Sequence, residues 1–475
     1  MLNDEFFRVI LVRKGEERTS FRIDFDDHHS EEITEIESDQ SDLIDEVSLQ
    51  FARLSDEWTN TAIGFFEVVP MISEIGTFVA DHQMDNDFLK FVQELAVDKT
   101  VSEEGEETKE VYSIHLREAA RVTKKMAEGT SILDTALVIK RSALTALLAE
   151  YEALMLELIS LVAKVRPEAF LGGELTIKSS DFGDFDTLEE LKEEFVSKKV
   201  EDFLHGESHQ EILKKIGDKF NVNLLSNEKL ISEFVEVCQR RHLISHAGSR
   251  ANKRYVRICR DAGCDEDKML DLNEPVSITR KYLRRATARV YQVGFFTLHL
   301  LWQKLLQKPS ESDAEIVSAS HDFLERDLTK MARRVADFSL SRKSRPNDRS
   351  YGYLLINKAQ SYKFDKCLDG AAAQSKVEGV LSKRDWSDTS EVNHLALACL
   401  RDEYEGIAPK VVAAARQTNR PLLYSDVFTW NIFREARDND EFIKGVEEAF
   451  SVQLKLADDK KKLLESPAGG EGRLN

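Results

Sequence analysis

Leu137, Leu144, Leu147, Leu148, Tyr151, Leu154, Met155, Leu158, Ile159 and Val162 recur mostly at spacings of three and four, which makes one face of a single helix apolar over about seven turns. A stripe that broad cannot face water, so other helices must cover it. Pro167, just beyond, is a stop signal. The chain holds only 21 Gly and 8 Pro in 475 residues, and few turns in a long chain mean helices. The fold class expected is therefore all-α, in about three units.

The rest of the chain divides by its pattern. Residues 6–12 and 19–25 are β-rich runs separated by a polar segment and read as a small N-terminal hairpin. Residues 27–40 are a polar connector, after which Leu43, Val47, Phe51 and Leu54 begin a helical pattern that resumes through 63–79 and 88–97. Residues 100–109, charged and without an apolar anchor, read as a loop, with a domain boundary near residue 125. Residues 126–308 hold the long stripe, Gly172-Gly173 in a loop, and helices over about 187–204, 210–220, 227–246 and 278–306. Two long helices enclosing shorter ones suggest a four-helix bundle with an extended middle connection. From 309 to 456 helices succeed one another, and Tyr351-Gly352-Tyr353 with Ala359 gives the small and aromatic alternation that lets helix pairs nest, without a strict period. Residues 457–475 read as a disordered tail.

No apolar run approaches the roughly 20 residues of a membrane span, and the first residues lack a signal-peptide pattern, so a cytoplasmic protein with no membrane contact is expected. The five cysteines, Cys238, Cys259, Cys264, Cys367 and Cys399, are odd in number and form no CxxC pair, which fits reduced thiols. The formal net charge is -20, and residues 1–60 alone carry 17 Asp/Glu against 6 Lys/Arg, a balance that favours solubility or could mask a basic site.

Against that acidity, residues 240–260 contain seven Lys/Arg and no Asp/Glu. The island begins at the end of a helix, in Arg240-Arg241-His242-Leu243-Ile244-Ser245-His246, and Gly248 is the expected stop. Arg241 and His246 are five apart, about 140° around an ideal helix, and flank a groove, whereas His242 and His246 at i and i+4 share a face. Cutting RNA without a metal needs a base for the 2′-hydroxyl proton, an acid for the 5′-oxygen and a cation for the charge on phosphorus. Histidine serves for either proton and arginine for the charge. Competing readings are blander. Cations at a helix end also suit its dipole, and Arg280, Lys281, Arg284, Arg285 and Arg289 on the last bundle helix form either a solvated face or an extension of the basic surface. His-Leu-Ile-Ser-His lacks the Glu of a zinc protease motif, Ser245 lacks a nucleophile's partners, and no P-loop occurs, so neither metal nor cofactor is expected.

Arg241-His242-x-x-x-His246 resembles the Arg-polar-x-x-x-His motif of the HEPN superfamily, and Asn252-Lys253-Arg254-Tyr255 resembles the segment after that motif in many bacterial members. The resemblance covers roughly residues 130–307. It implies a motif near the end of the third core helix of a helical bundle, a homodimer that joins two motifs, and metal-independent endoribonuclease activity, as in defence or toxin effectors. By that implication His246 is the general acid or base, Arg241 stabilises the phosphorane-like transition state, and His242 orients phosphate or assists proton transfer. Arg240, Arg250, Lys253 and Arg254 are the expected RNA-binding cations. The C-terminal part, around 381–387 and 430–434, resembles a helical region similar to tetratricopeptide repeats, which implies recruitment of a protein partner. The alternative is a HEPN-like module that binds nucleotide or RNA and dimerises without cutting.

Overall fold

The computed structural model describes residues 8–14, 18–24, 39–79, 86–104, 107–170 and 187–451. The connector at 27–40 lies almost wholly outside the described residues, and the Gly172-Gly173 loop and the tail at 457–475 lie outside them altogether. Strands β1 (Arg8–Lys14) and β2 (Arg18–Asp24) pair antiparallel, Arg8 opposite Asp24 and Lys14 opposite Arg18, close to where the hairpin is expected.

Helix α1 (Asp39–Val79) and the short α2 (Asn86–Leu95) come next. The expected loop at 100–109 is instead part of a second hairpin, β3 (Ala96–Glu104) and β4 (Glu107–Ile114). Its cohesion does not come from burial, since Val101 and Val111 are exposed. Backbone pairing and cross-strand contacts such as Lys99 Nζ to Glu110 Oε1 at 2.7 Å hold it, a source of order that a search for apolar anchors passes over.

Helix α3 (Ala119–Val165) then runs unbroken across position 125, so the boundary expected there falls inside a helix. The chain divides instead into Ser38–Ala319 and a second unit made of Met1–Glu37 with Ser320–Asn475. The first unit continues with α4 (Leu188–Leu204), α5 (His209–Phe220), α6 (Glu228–His246), α7 (Lys253–Asp261) and α8 (Arg280–Leu306). Their starts are written in the sequence. Thr187 with Glu190 and Ser208 with Glu211 form capping boxes, and Asn227, Asn252 and Thr279 each accept a backbone N–H of the first turn. Helix α7 is absent from the sequence expectation, because its residues are mostly charged and only Tyr255 and Cys259 are buried.

The stripe of α3 is core from Leu144 to Val162, packed against α1 and α8, each large side chain worth about 1.5–3 kcal/mol on burial. Trp58 of α1 donates its indole N–H to the Tyr291 carbonyl of α8 at 3.1 Å. The close approach there requires Gly294, where a Cβ would stand 2.6 Å from Leu154 Cδ2 and 2.9 Å from Trp58 Nε1. Helix α6 lies on α8 and α3 and so carries its C-terminal end to the surface of this bundle.

The second unit takes only the end of α9 (Pro309–Glu325), from Ser320 on, then α10 (Thr329–Leu340), α11 (Asp348–Lys363), α12 (Gly370–Leu381), α13 (Glu391–Leu400), α14 (Ala408–Arg416), α15 (Tyr424–Thr429) and α16 (Asp440–Phe450). Successive pairs pack, α10 on α11, α11 on α12 and α13 on α14, around a core that includes Leu355, Val377, Leu397, Val411 and Phe433. Gly352 admits the Arg384 guanidinium, which donates to the Asp348 carbonyl at 2.6 Å. Among the described residues no helix is long and apolar enough to cross a membrane.

Candidate active site

Helix α6 presents its functional side chains by the angle between neighbours. Its buried side carries Leu230, Ile231, Phe234 and Val237, together with the charged Glu233, Glu236 and Arg240. One step on, about 100° round the helix, Arg241 leaves that face. The helix ends where Gly248 adopts φ 62°, and the Ala247 and Ser249 N–H groups both reach the Leu243 carbonyl at 3.1 Å. The next turn is pinned by Ala251 N–H to the Glu274 carbonyl at 2.9 Å and Val276 N–H to the Ser249 carbonyl at 2.8 Å. The island is therefore a fixed surface rather than a free loop.

Arg241, His242 and Arg254 line one open cleft of about 1120 Å³, walled by α3, the end of α4, the first turn of α5, α6 and α7. Apolar side chains including Met155, Leu156, Ile212 and Ile258 line the same space. Arg241 is half-buried; its Nη2 lies 3.7 Å from Glu152 Oε1, and its Nε has no hydrogen-bond partner. The same Glu152 oxygen lies 3.3 Å from His209 Nε2. A hydrogen bond from His209 holds the Glu152 carboxyl below the ordinary carboxylate range, burial opposing it and the Arg241 charge assisting. The His209 ring is set edge-on to Tyr151, centroids 5.5 Å apart, and packs near Phe234 at 6.1 Å.

His242 and His246 share a face as expected, ring centroids 5.0 Å apart, but His246 is exposed and stands outside the cleft lining. Burial pushes the His242 imidazole below its ordinary range, and the neighbouring His246, Arg254 and Arg241 push it the same way. Cleft residues of opposite sign are partly engaged elsewhere: Glu207 meets Lys215 at 2.6 Å, and Glu211 accepts the Ser208 N–H at 2.9 Å.

The other cations separate from this group. Arg240 is 4% exposed and spent inside the bundle. Its Nε donates to Glu236 Oε1 at 2.7 Å, its Nη1 to the Ser277 carbonyl at 3.1 Å, and its guanidinium stacks 4.0 Å from the Tyr282 ring centre. A cation so enclosed does not offer a surface to RNA, which corrects the role expected for Arg240. Glu236 also accepts the Tyr255 and Tyr282 hydroxyls, each at 2.9 Å. Beside it Glu233 bonds Arg289 and Lys268; burial opposes its ionisation, but these two bonds win and hold it below the ordinary range. Of the basic set on α8, Arg285 and Arg289 thus turn to buried carboxylates, while Arg280 and Lys281 are exposed. Arg250 is exposed and donates to the Asn273 carbonyl at 2.9 Å, and Lys253 lines a separate depression with Arg257 and Arg260.

Glu152 and His209 are the site residues that sequence reading missed. No short motif links them to Arg241; the available signals were a polar residue beside Tyr151 at the margin of the apolar stripe and a histidine just after the Ser208 cap. Among the described residues no group of three or more His, Cys, Asp or Glu is placed to hold a metal ion, and all five cysteines are free. Comparison of the chain with protein-family models, curated proteins and solved structures gives no match.

Proposed function

We propose that this chain is a metal-independent endoribonuclease of the HEPN type, cutting RNA by attack of a 2′-hydroxyl on the adjacent phosphorus. The observation that carries this reading is the convergence of Arg241, His242 and Arg254 on one cleft, with the His246 ring 5.0 Å from His242 at its rim. Arg241 lines the cleft with a half-buried guanidinium, suited to the charge that builds on phosphorus. His242, held neutral by burial and nearby cations, is suited to take the 2′-hydroxyl proton, and His246 is placed to relay it to solvent. Arg254 supplies a phosphate contact at the cleft, and exposed Arg250 and Lys253, outside it, extend the basic surface. The packing of α3, α6 and α8, with the motif at the end of α6, supports a HEPN-like bundle.

The test is incubation of the purified chain with total RNA and with defined transfer RNA in excess EDTA, and then end analysis of the fragments. Fragments ending in 2′,3′-cyclic phosphate are expected, and Arg241→Ala should abolish them. Intact RNA, or cleavage unchanged in that variant, would sink the proposal.

A further inference from the structure

Strand cleavage moves two protons, one from the attacking 2′-hydroxyl and one to the departing 5′-oxygen. The motif helix brings only one imidazole, His242, into the cleft, and the family resemblance assigns completion of the set to a partner subunit. The cleft contains two further imidazoles from the same chain, His205 just past the end of α4 and His209, and of these His209 is the one that stands against the Glu152 carboxylate. His209, at the first position of α5, lines the same space as Arg241, His242 and Arg254, and its side chain is 21% exposed, open enough to meet a ligand. Packing against Tyr151 and Phe234 restricts the ring, and Glu152 stands 3.3 Å from its Nε2. A carboxylate that fixes the orientation of an imidazole is an arrangement that proton-transfer sites use. Arg241, 3.7 Å from the same Glu152 oxygen, ties the couple to the residue assigned to the phosphate.

We propose that His209 is the catalytic acid of this cleft and Glu152 its positioning residue, so that a single chain carries both proton-transfer groups; this rests on the ribonuclease reading. In the step, the 2′-oxygen to phosphorus bond forms as the phosphorus to 5′-oxygen bond breaks. The 2′-hydroxyl proton passes to neutral His242, and the proton on the His209 imidazolium passes to the 5′-oxygen. The products are a 2′,3′-cyclic phosphate and a 5′-hydroxyl, and the two rings return to their starting states by exchange with water. A partner's half-site is not needed for the chemistry.

The experiment compares two substrates of one sequence, ordinary RNA and RNA whose scissile bridging 5′-oxygen is replaced by sulfur, which departs without a proton. The full-length chain is assayed as wild type, His209→Gln, Glu152→Gln and His242→Ala, each checked for folding by circular dichroism. On ordinary RNA, His209→Gln should lose about 100-fold or more and Glu152→Gln about tenfold. On the sulfur substrate both should recover to near the wild-type rate, while His242→Ala stays slow on each. If His209→Gln fails to fold, recovery by Glu152→Gln carries the same decision. Undiminished cleavage of ordinary RNA by His209→Gln, or equal losses on both substrates, overturns the assignment while leaving the ribonuclease reading standing. Absence of cleavage by the wild-type chain overturns the reading and the step together.

Discussion

Arg240 and Glu236 are bonded at 2.7 Å within the bundle, both side chains at most 5% exposed, and the next residue of the same helix, Arg241, enters the cleft. Two adjacent arginines thus serve opposite ends, and their substitutions should separate. Arg240→Ala leaves Glu236 with its tyrosine partners and only the more distant Arg285, 3.9 Å away, and should cost about 3 kcal/mol of stability. Arg241→Ala removes a half-buried cation near a helix end, and should cost under about 1 kcal/mol while abolishing cleavage. Thermal melts beside cleavage assays decide; equal destabilisation by the two would contradict this division.

The pH profile should carry the mark of His242. Burial, then His246, Arg254 and Arg241, hold its imidazole below the ordinary value of 6.5, so it remains a base down to more acid pH than a free histidine. The acid limb of kcat should therefore lie below pH 6.5. Arg254→Gln removes one of the lowering charges and should shift that limb towards neutral. A limb that does not move in this variant would argue against His242 as the group it reports.

Acid should also weaken the fold through Glu233. Its carboxyl titrates lower in the folded chain than its ordinary 4.5, because the bonds from Arg289 and Lys268 outweigh the burial that opposes ionisation. The unfolded chain therefore binds the proton first as pH drops. The stabilisation is complete above pH 4.5 and is lost as pH falls through the folded value. Glu233→Gln should lower the melting temperature at neutral pH and flatten its fall in acid, as monitored by circular dichroism.

A fourth expectation concerns the contact between α1, α3 and α8. Gly294→Ala places a methyl group 2.6 Å from Leu154 Cδ2 and 2.9 Å from the Trp58 indole nitrogen, which donates to the Tyr291 carbonyl. Overpacking of this kind costs about 1–3 kcal/mol. Urea titration should show a lower midpoint, and a midpoint equal to wild type would mean that the helices move apart freely.

How much the sequence discloses depends on how local each signal is. The stripe of α3, the helix starts expected near 187, 210 and 227, and the stop at Gly248 depend on residues within a turn or two, and the structure has them there, the three helices capped by Thr187, Ser208 and Asn227. The β3–β4 hairpin escaped because its strands pair without a core, and α7 because charge conceals a face only two residues wide. Arg240 and Arg241 look alike as letters; only the packing of α8 on α6 turns one inward. Glu152, His209 and Arg241 come from three helices, and nothing in the spacing of the chain announces that they meet.

Glu152 directly succeeds Tyr151, a wholly buried member of the α3 stripe. The carboxylate and the core therefore share one helical phase. Inserting a single residue after Leu148 would rotate everything downstream by about 100° relative to the turns before it, taking Tyr151 out of the bundle and Glu152 away from His209 and Arg241 together. Chain length along α3 is thus under the same constraint as the chemistry. A lineage could lengthen α3 upstream of the cleft only by steps that restore the phase, three or four residues at a time.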